Sequence, residues 1–210
     1  MRKILLVDAH AIVRDGIMKI LAEALGATAF GEASSAREAL NLIHEQSWDV
    51  AMLDISLNGR SGLDVLVELR RVRPSLPVLV FSMHAEEQYA RRALRAGASG
   101  YVTKKSPRTE LIKAVQKVLD GGRYVSATLA ERLAIDLERG SPEHPHDALS
   151  AREFEVMRQI ASGKAVSEIA ELLSLSAKTI STYRSRILDK LRLKNNAELT
   201  HYAIHAGLMD

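Results

Sequence analysis

No cysteine occurs in the 210 residues. That excludes a disulfide framework, a thiolate zinc site and a cysteine nucleophile, and it fits a reducing compartment. Long hydrophobic runs are also missing. The apolar stretches at 4–7 and 78–81 fall far short of the ~20 residues that cross a bilayer. Asp8 interrupts any signal-like core beside Arg2 and Lys3, so neither a membrane span nor secretion is expected and the cytoplasm is the expected location. Neither sign of charge dominates: 29 Lys and Arg face 26 Asp and Glu, for a formal net charge of +3. Internal repeats and low-complexity tracts are absent too. What the chain does have is apolar content, 47% hydrophobic residues, enough for one large or two ordinary domains each to bury a core.

The small net charge hides a local concentration. Between 176 and 194, Lys178, Arg184, Arg186, Lys190, Arg192 and Lys194 are opposed only by Asp189. Such a basic stretch is a phosphate-binding footprint. Ile169, Ala170, Leu172 and Leu173 supply one helical apolar face just before it, and Ser174 to Ser176 break the pattern. Ile180, Ile187, Leu188 and Leu191 supply the next at helical spacing. Two helices around a tight turn are therefore expected, the second laid in a DNA groove. Its plain alternative is a charged helix facing water.

Upstream, short apolar runs at 4–7, 28–31, 50–53, 78–81 and 100–102 alternate with helical patterns at 12–25, 36–46, 63–73, 86–96 and 109–119. Gly26, Gly97 and Gly121 fall just past helix ends. Ser35 with Glu38 resembles a capping box, as does Ser150 with Glu153. This βα repeat predicts an α/β fold, a doubly wound five-stranded parallel sheet of the flavodoxin-like kind, covered on both faces. Its reactive edge is the carboxyl ends of the strands, where Asp8, Asp54, Ser82 and Lys104 fall. A further helix is expected over 126–138, followed by a flexible linker at 140–147, where two prolines and polar neighbours argue against a structured element. The rest predicts an all-α domain of four helices. The expected units are 1–122, a helix plus linker over 123–148, and a DNA-binding domain over 149–210.

Both halves resemble one family, the response regulators of the NarL/FixJ type, in which a phosphoacceptor receiver is joined to a LuxR-type helix-turn-helix. The receiver resemblance rests on Ile4 to Asp8, Asp49 to Asp54, Val80 to Ser82 and Gly100 to Lys104, in order and suitably separated. The effector resemblance rests on Leu149 to Glu153, Ile169 with Ala170, Ser176 to Ile180, Tyr183 to Ile187, and Lys190 with Leu191. The carboxyl-terminal part is similar to the GacA/UvrY group of that family.

The resemblance implies that Asp54 is the phosphoacceptor, taking a phosphoryl group from a sensor histidine kinase, a phosphotransfer protein or a small phosphodonor. It implies Mg²⁺ as cofactor, held by Asp8, Asp54 and the backbone carbonyl of Ser56, because an anionic nucleophile approaches a phosphoryl group only when cations neutralise the oxygens. Lys104 matches the lysine of the pocket, Ser82 the hydroxyl that closes on the phosphoryl group, and Tyr101 the aromatic switch residue. Ala9 departs from the pattern, standing where the family carries a second adjacent acid. An octahedral Mg²⁺ site thereby loses an anionic oxygen, so weak affinity and impaired phosphorylation are expected. Asn58 stands where relatives commonly have proline, which implies a more mobile segment over 57–61.

In the carboxyl-terminal half, Lys178, Thr179, Ser181, Thr182 and Ser185 are expected near base edges or phosphates of double-stranded promoter DNA. Arg184, Arg186 and Lys190 suit the phosphate backbone. The final helix, with Leu199, Tyr202, Ala203 and Ala206, resembles the pairing helix of a homodimer reading two half-sites. Plain packing on the domain core is its alternative. His201 and His205 have the i, i+4 spacing of metal ligands and His144 and His146 are neighbours, yet no acidic or thiolate set accompanies either pair, so zinc is not expected. The expected function is a DNA-binding transcriptional regulator and not an enzyme. An enzyme serving as a phosphate sink gives no reason for the basic helix, and a small-molecule-responsive LuxR-type protein would need a cavity domain instead of Asp-bearing βα units.

Overall fold

Strands buried on both faces need apolar side chains in unbroken succession, and the short runs of the amino-terminal half supply them. The computed structural model describes residues 1–57, 60–139 and 144–209, side chains at 60, 87, 88 and 136–139 excepted. It divides into two units, 1–140 and 141–210. In the first, β1 (Arg2–Val7), α1 (Ala11–Leu25), β2 (Thr28–Ala33), α2 (Ala36–Glu45) and β3 (Val50–Leu53) are followed by a two-stranded hairpin, β4 (Ser56–Leu57) and β5 (Arg60–Ser61). Then come α3 (Gly62–Val72), β6 (Val78–Ser82), α4 (Glu86–Arg95), β7 (Gly100–Thr103), α5 (Arg108–Leu119) and α6 (Ala127–Arg139). The sheet order is β2-β1-β3-β6-β7 with every pairing parallel. That is the expected doubly wound arrangement, whose strand order reverses beside β1.

One face of the sheet buries Ile4, Leu6, Met52, Leu79 and Val102 against Ile17 and Leu21 of α1 and Leu111, Val115 and Val118 of α5. Each such side chain contributes roughly 1.5–3 kcal/mol of hydrophobic stabilisation. Gly26 and Gly121 take the positive φ values, 72° and 80°, that the helix ends require. Ser35 caps α2 by accepting from the Glu38 amide, but the Glu38 carboxylate turns to the amide and hydroxyl of Ser34, so the capping box is shifted by one residue. Those Ser34 bonds hold the Glu38 carboxyl below its ordinary pKa. Other departures are small. β2 runs on to Ala33, and a hairpin stands where an irregular segment is expected; Asn58 itself lies outside the described residues.

The second unit comprises a 3₁₀ turn (Pro145–Ala148), α7 (Ala151–Ala161), α8 (Val166–Leu172), α9 (Ala177–Leu191) and α10 (Asn196–His205). The flexible linker expected over 140–147 is thus corrected in part. Residues 140–143 lie outside the described residues, but the turn at 145–148 is folded because His146 is buried and its ring Nδ1 lies 2.8 Å from the Tyr202 hydroxyl. The core of this unit is Phe154, Met157, Ile160, Ile169, Ile180, Ile187, Leu199 and Ala203. Ser150 and Glu153 form the full capping box at the start of α7. Leu172, expected on the apolar face of α8, is instead 55% exposed.

Candidate functional site

Parallel pairing explains how three distant residues meet. Asp8, Asp54 and Lys104 each follow the last residue of a strand, and the ladder continues through their amides: Asp8 N–H to Ala33 O at 3.0 Å, Asp54 N–H to Val7 O at 2.9 Å, Lys104 N–H to Ser82 O at 2.7 Å. Their side chains converge at the carboxyl edge of the sheet. The Lys104 ammonium donates to Asp8 Oδ2 at 2.5 Å and to Asp54 Oδ2 at 2.7 Å. Both carboxylates are nearly sealed, 4% and 2% exposed. Burial works against the Lys104 charge, but the bonds to Asp54 and Asp8 outweigh it and hold the ammonium above the ordinary lysine pKa. Gly62, at the start of α3, is part of the same construction: a Cβ there would lie 2.1 Å from the backbone oxygen of Asp54. Only glycine lets α3 come this close.

Ser82, fully buried, ends β6 and accepts from the His84 amide at 3.3 Å. Tyr101 is fully buried in β7 and its hydroxyl donates to the His84 carbonyl at 2.9 Å; burial pushes its pKa upward. His84 went unnoticed in the sequence. Its Nε2 lies 3.1 Å from Ser56 Oγ and its ring stacks on Tyr89 with centroids 4.3 Å apart, so it joins the segment after Asp54 to both tyrosines. A lone histidine after a strand carries no periodic signal that would have revealed it.

The residues that would hold Mg²⁺ are Asp8 and Asp54, one carboxylate fewer than the family pattern supplies, with water or phosphoryl oxygens left to fill the other positions. Mg²⁺ demands near-ideal octahedral oxygen coordination. Here Asp8 and Asp54 supply carboxylates, both already bonded to Lys104, and Ala9 supplies nothing. Ser56, expected to add a carbonyl, is exposed and gives its amide to Asp54 Oδ1 at 3.1 Å. Beside them stands an imidazole, His10, whose Nδ1 is 3.1 Å from Asp8 Oδ1.

The second unit presents a separate surface. Ser176 caps α9 by accepting from the Thr179 amide at 3.1 Å, and Ser174 at φ 53° turns the chain from α8 into it. With Ile180, Ile187, Leu188 and Leu191 buried, helical geometry leaves Lys178, Ser181, Thr182, Ser185 and Arg186 exposed, opposite the core or flanking that face. The Thr182 and Ser185 hydroxyls donate to the carbonyls of Lys178 and Ser181, which keeps their lone pairs outward. Thr179 is half-buried, its hydroxyl 2.8 Å from Ser176 Oγ.

Two expected phosphate cations are engaged internally. Lys190 Nζ donates to Glu153 Oε2 at 2.6 Å and offsets a carboxylate only 4% exposed, while its own side chain stays 41% exposed. Arg184 is half-buried with its Nε on Asn196 Oδ1 at 2.6 Å. The pairing face also needs correction. Leu199 and Ala203 are fully buried within their own unit and Tyr202 is held by His146, so these side chains serve the core. Ala206 is half-buried, while Ala197, His201, Ile204 and His205 form the exposed face of α10, Ile204 at 60%. His201 and His205 bring their Nε2 atoms 3.0 Å apart.

Comparison with known proteins agrees with both halves. The response regulator receiver domain pattern matches residues 4–116 and that of bacterial regulatory proteins, luxR family, matches 147–203. The response regulator UvrY of Escherichia coli K12 is 35% identical over 209 residues, covering 99% of this chain and 96% of that protein. The response regulator GacA of Pseudomonas aeruginosa is 36% identical over 211 residues, covering 100% and 99%. Among solved structures, RcsB of Salmonella enterica serovar Typhimurium, bound to promoter rprA in the presence of the phosphomimetic BeF3⁻, matches with a TM-score of 0.62 and 28% identity over 96% of this chain and 98% of that one. A two-component response regulator of the LuxR family from Aurantimonas sp. matches with a TM-score of 0.59 and 37% identity, over 64% of this chain and 96% of that one. With a phosphoacceptor-type sheet edge in one unit and a helix-turn-helix in the other, the chain belongs to the NarL/FixJ-type response regulators, DNA-binding transcription regulators of two-component systems.

Proposed function

We propose that Asp54 accepts a phosphoryl group from a sensor histidine kinase or phosphotransfer protein, and that its state sets homodimer formation and promoter binding by α9. The observation that carries this reading is the convergence of Asp8, Asp54 and Lys104 at one sheet edge. A carboxylate oxygen of Asp54 attacks phosphorus, and the bond to the donor nitrogen breaks with its electron pair leaving on that nitrogen. Lys104 offsets the charge carried onto Asp54, the buried Ser82 hydroxyl lies at the adjacent strand end, and Tyr101 reads the change through the His84 segment. Mg²⁺ affinity is weak because Ala9 contributes no oxygen. On the DNA side, Lys178 and Arg186 bind phosphates while Ser181, Thr182 and Ser185 meet base edges. Arg184 and Thr179 support the helix ends and reach the backbone from the flanks. Pairing uses the exposed face of α10 around Ile204, with Ala206 at its margin. The relative RcsB has been solved as dimers bound to DNA, which supports a double-stranded promoter as the partner. No helix among the described residues is long and apolar enough to cross a membrane, in keeping with action in the cytoplasm.

Two measurements test this. With a small phosphodonor and Mg²⁺, Asp54 acquires an acyl phosphate slowly, and Ala9→Asp accelerates it at least about tenfold by restoring the oxygen ligand; equal rates reject the role given to Ala9. A gel shift on promoter fragments at low ionic strength reports DNA binding, and its absence rejects the regulator reading.

A further inference from the structure

We propose that His201 and His205 of α10, joined by the same two residues of a second copy of this chain, hold a Zn²⁺ ion that clamps the pairing face. The second copy comes from the homodimer reading above, on which this site rests; the two imidazoles of one chain rest on geometry alone.

A spacing of four residues sets both rings on one side of the helix, one turn apart. Their centroids are 4.2 Å apart and their Nε2 atoms 3.0 Å apart, and both side chains are exposed. Two facing nitrogens at that distance have room for one proton between them, so at least one ring presents a bare lone pair. An ion that displaces this proton to water meets two lone pairs aimed at one point. With Zn–N bonds of about 2.0–2.1 Å, tetrahedral coordination asks for nitrogens about 3.4 Å apart, and a slight opening of two exposed rings supplies the difference.

The surroundings favour a cation. The pair reaches the last turn of α10, which ends at His205, where the helix dipole stabilises positive charge. No lysine or arginine stands three or four residues from either histidine, whereas Glu198 does. Arg158, which approaches this end from α7, gives its Nε to the Leu208 carbonyl at 3.0 Å.

One chain fills only half of the coordination shell. Among the described residues no third His, Cys, Asp or Glu joins the pair, and Glu198 is occupied by the Lys194 amide and the Asn195 side chain. Spacing within a single chain therefore gives no zinc signal, but a twofold axis through the ion supplies two more imidazoles and completes a tetrahedral set. Ala197 and Ile204 lie on the same exposed face of α10 as the two rings. An isoleucine and an alanine are little apolar surface against the freedom that association removes, and four metal bonds add what they lack.

The test is sedimentation of the untagged full-length protein over a concentration series, with and without Zn²⁺. Half an equivalent of Zn²⁺ per chain should lower the dimer dissociation constant at least about tenfold, the scale of loss seen when even a partner of a metal ligand is removed. A chelator should reverse the effect and Mg²⁺ should not reproduce it. His201→Gln/His205→Gln should abolish the response to Zn²⁺; Zn²⁺ held elsewhere on the chain is common to both proteins and cancels in the comparison. No shift with Zn²⁺, a shift that survives the double substitution, or one ion bound per monomer overturns the proposal. Ile204→Asp separates the site from the pairing reading. Zn²⁺-free pairing that Ile204→Asp abolishes but Zn²⁺ leaves unchanged removes the ion and keeps the pairing face, whereas histidine-dependent pairing that Ile204→Asp does not weaken keeps the ion and rejects the face around Ile204.

Discussion

Among the described residues a lysine stands beside a buried carboxylate in each unit, and the two lysines do different work. Lys104 sits between Asp8 and Asp54 at the reactive edge, whereas Lys190 holds Glu153 at the start of α7. Burial pushes the Glu153 carboxyl up, but the bonds from Lys190 and Ser150 outweigh it and hold the pKa below its ordinary 4.5. A carboxylate whose pKa is depressed on folding contributes stability above the unfolded value, and that contribution disappears as the pH falls through the folded value. The second unit should therefore lose stability on acidification below about pH 4.5. Lys190→Met should cost about 1.5 kcal/mol at pH 7, a charged hydrogen bond discounted for the exposed lysine end, and distinctly less at a pH low enough to protonate Glu153. Urea midpoints at the two pH values check this, and an equal loss at both would assign Lys190 no electrostatic part. The same pair shows a limit of reading charge from sequence. The basic stretch was legible, but which cations answer an acid of their own fold depends on a capping box 37 residues away.

At the scale of elements, α9 separates cations that face outward from those that do not. Lys178 and Arg186 are exposed and opposed to the core, so replacing either by Ala should reduce the slope of log affinity against log salt by about 0.9. Lys190→Met should leave that slope nearly unchanged, and fluorescence anisotropy with a labelled promoter duplex over a salt series distinguishes them. The turn before α9 carries its own strain. Ser174 adopts φ 53° without the freedom of glycine, so Ser174→Gly should stabilise the unit by roughly 0.5 kcal/mol provided the Leu175 amide keeps its bond to Ala170 O; a lowered thermal midpoint would count against the strain. Elements of this kind were legible where periodicity was strong. The strands, the helices around them and the caps at Ser150 and Ser176 follow from alternation, spacing and side-chain chemistry. Less legible was the end of an element whose partner is distant in sequence. The turn at Pro145–Ala148 looks like a linker because its prolines and polar residues say nothing of Tyr202, which fastens it. α10 suffered likewise: Leu199 and Ala203 look suited to pairing, yet they are buried where α10 packs on α7. In the pocket, Asp8, Asp54, Ser82 and Lys104 could be placed because strand ends share one edge, and Tyr101 only through the family resemblance, whereas His10 and His84 act through local turns that no period encodes.

At the scale of the molecule, the chain is two units with separate cores, and each contains its complete local chemistry. Every hydrogen bond described for the pocket lies within 1–140, and every one described for α9 lies within 141–210. On the proposed reading, phosphate control works by biasing an equilibrium of the whole chain, because α9 is formed and capped by residues of its own unit. A fragment of residues 141–210 should fold, as its core and capping boxes are self-contained, and should bind promoter DNA without response to a phosphodonor. The full chain should respond only to the extent that its receiver can be loaded. Ala9→Asp treated with a phosphodonor and Mg²⁺ should thus bind a two-half-site promoter at least about fivefold more tightly than the untreated variant, a coupling of roughly 1 kcal/mol. Asp54→Ala in the same background should abolish the difference while leaving basal binding in place. Anisotropy titrations on one duplex compare the three proteins, and a phosphodonor response that survives Asp54→Ala would move control away from this aspartate altogether.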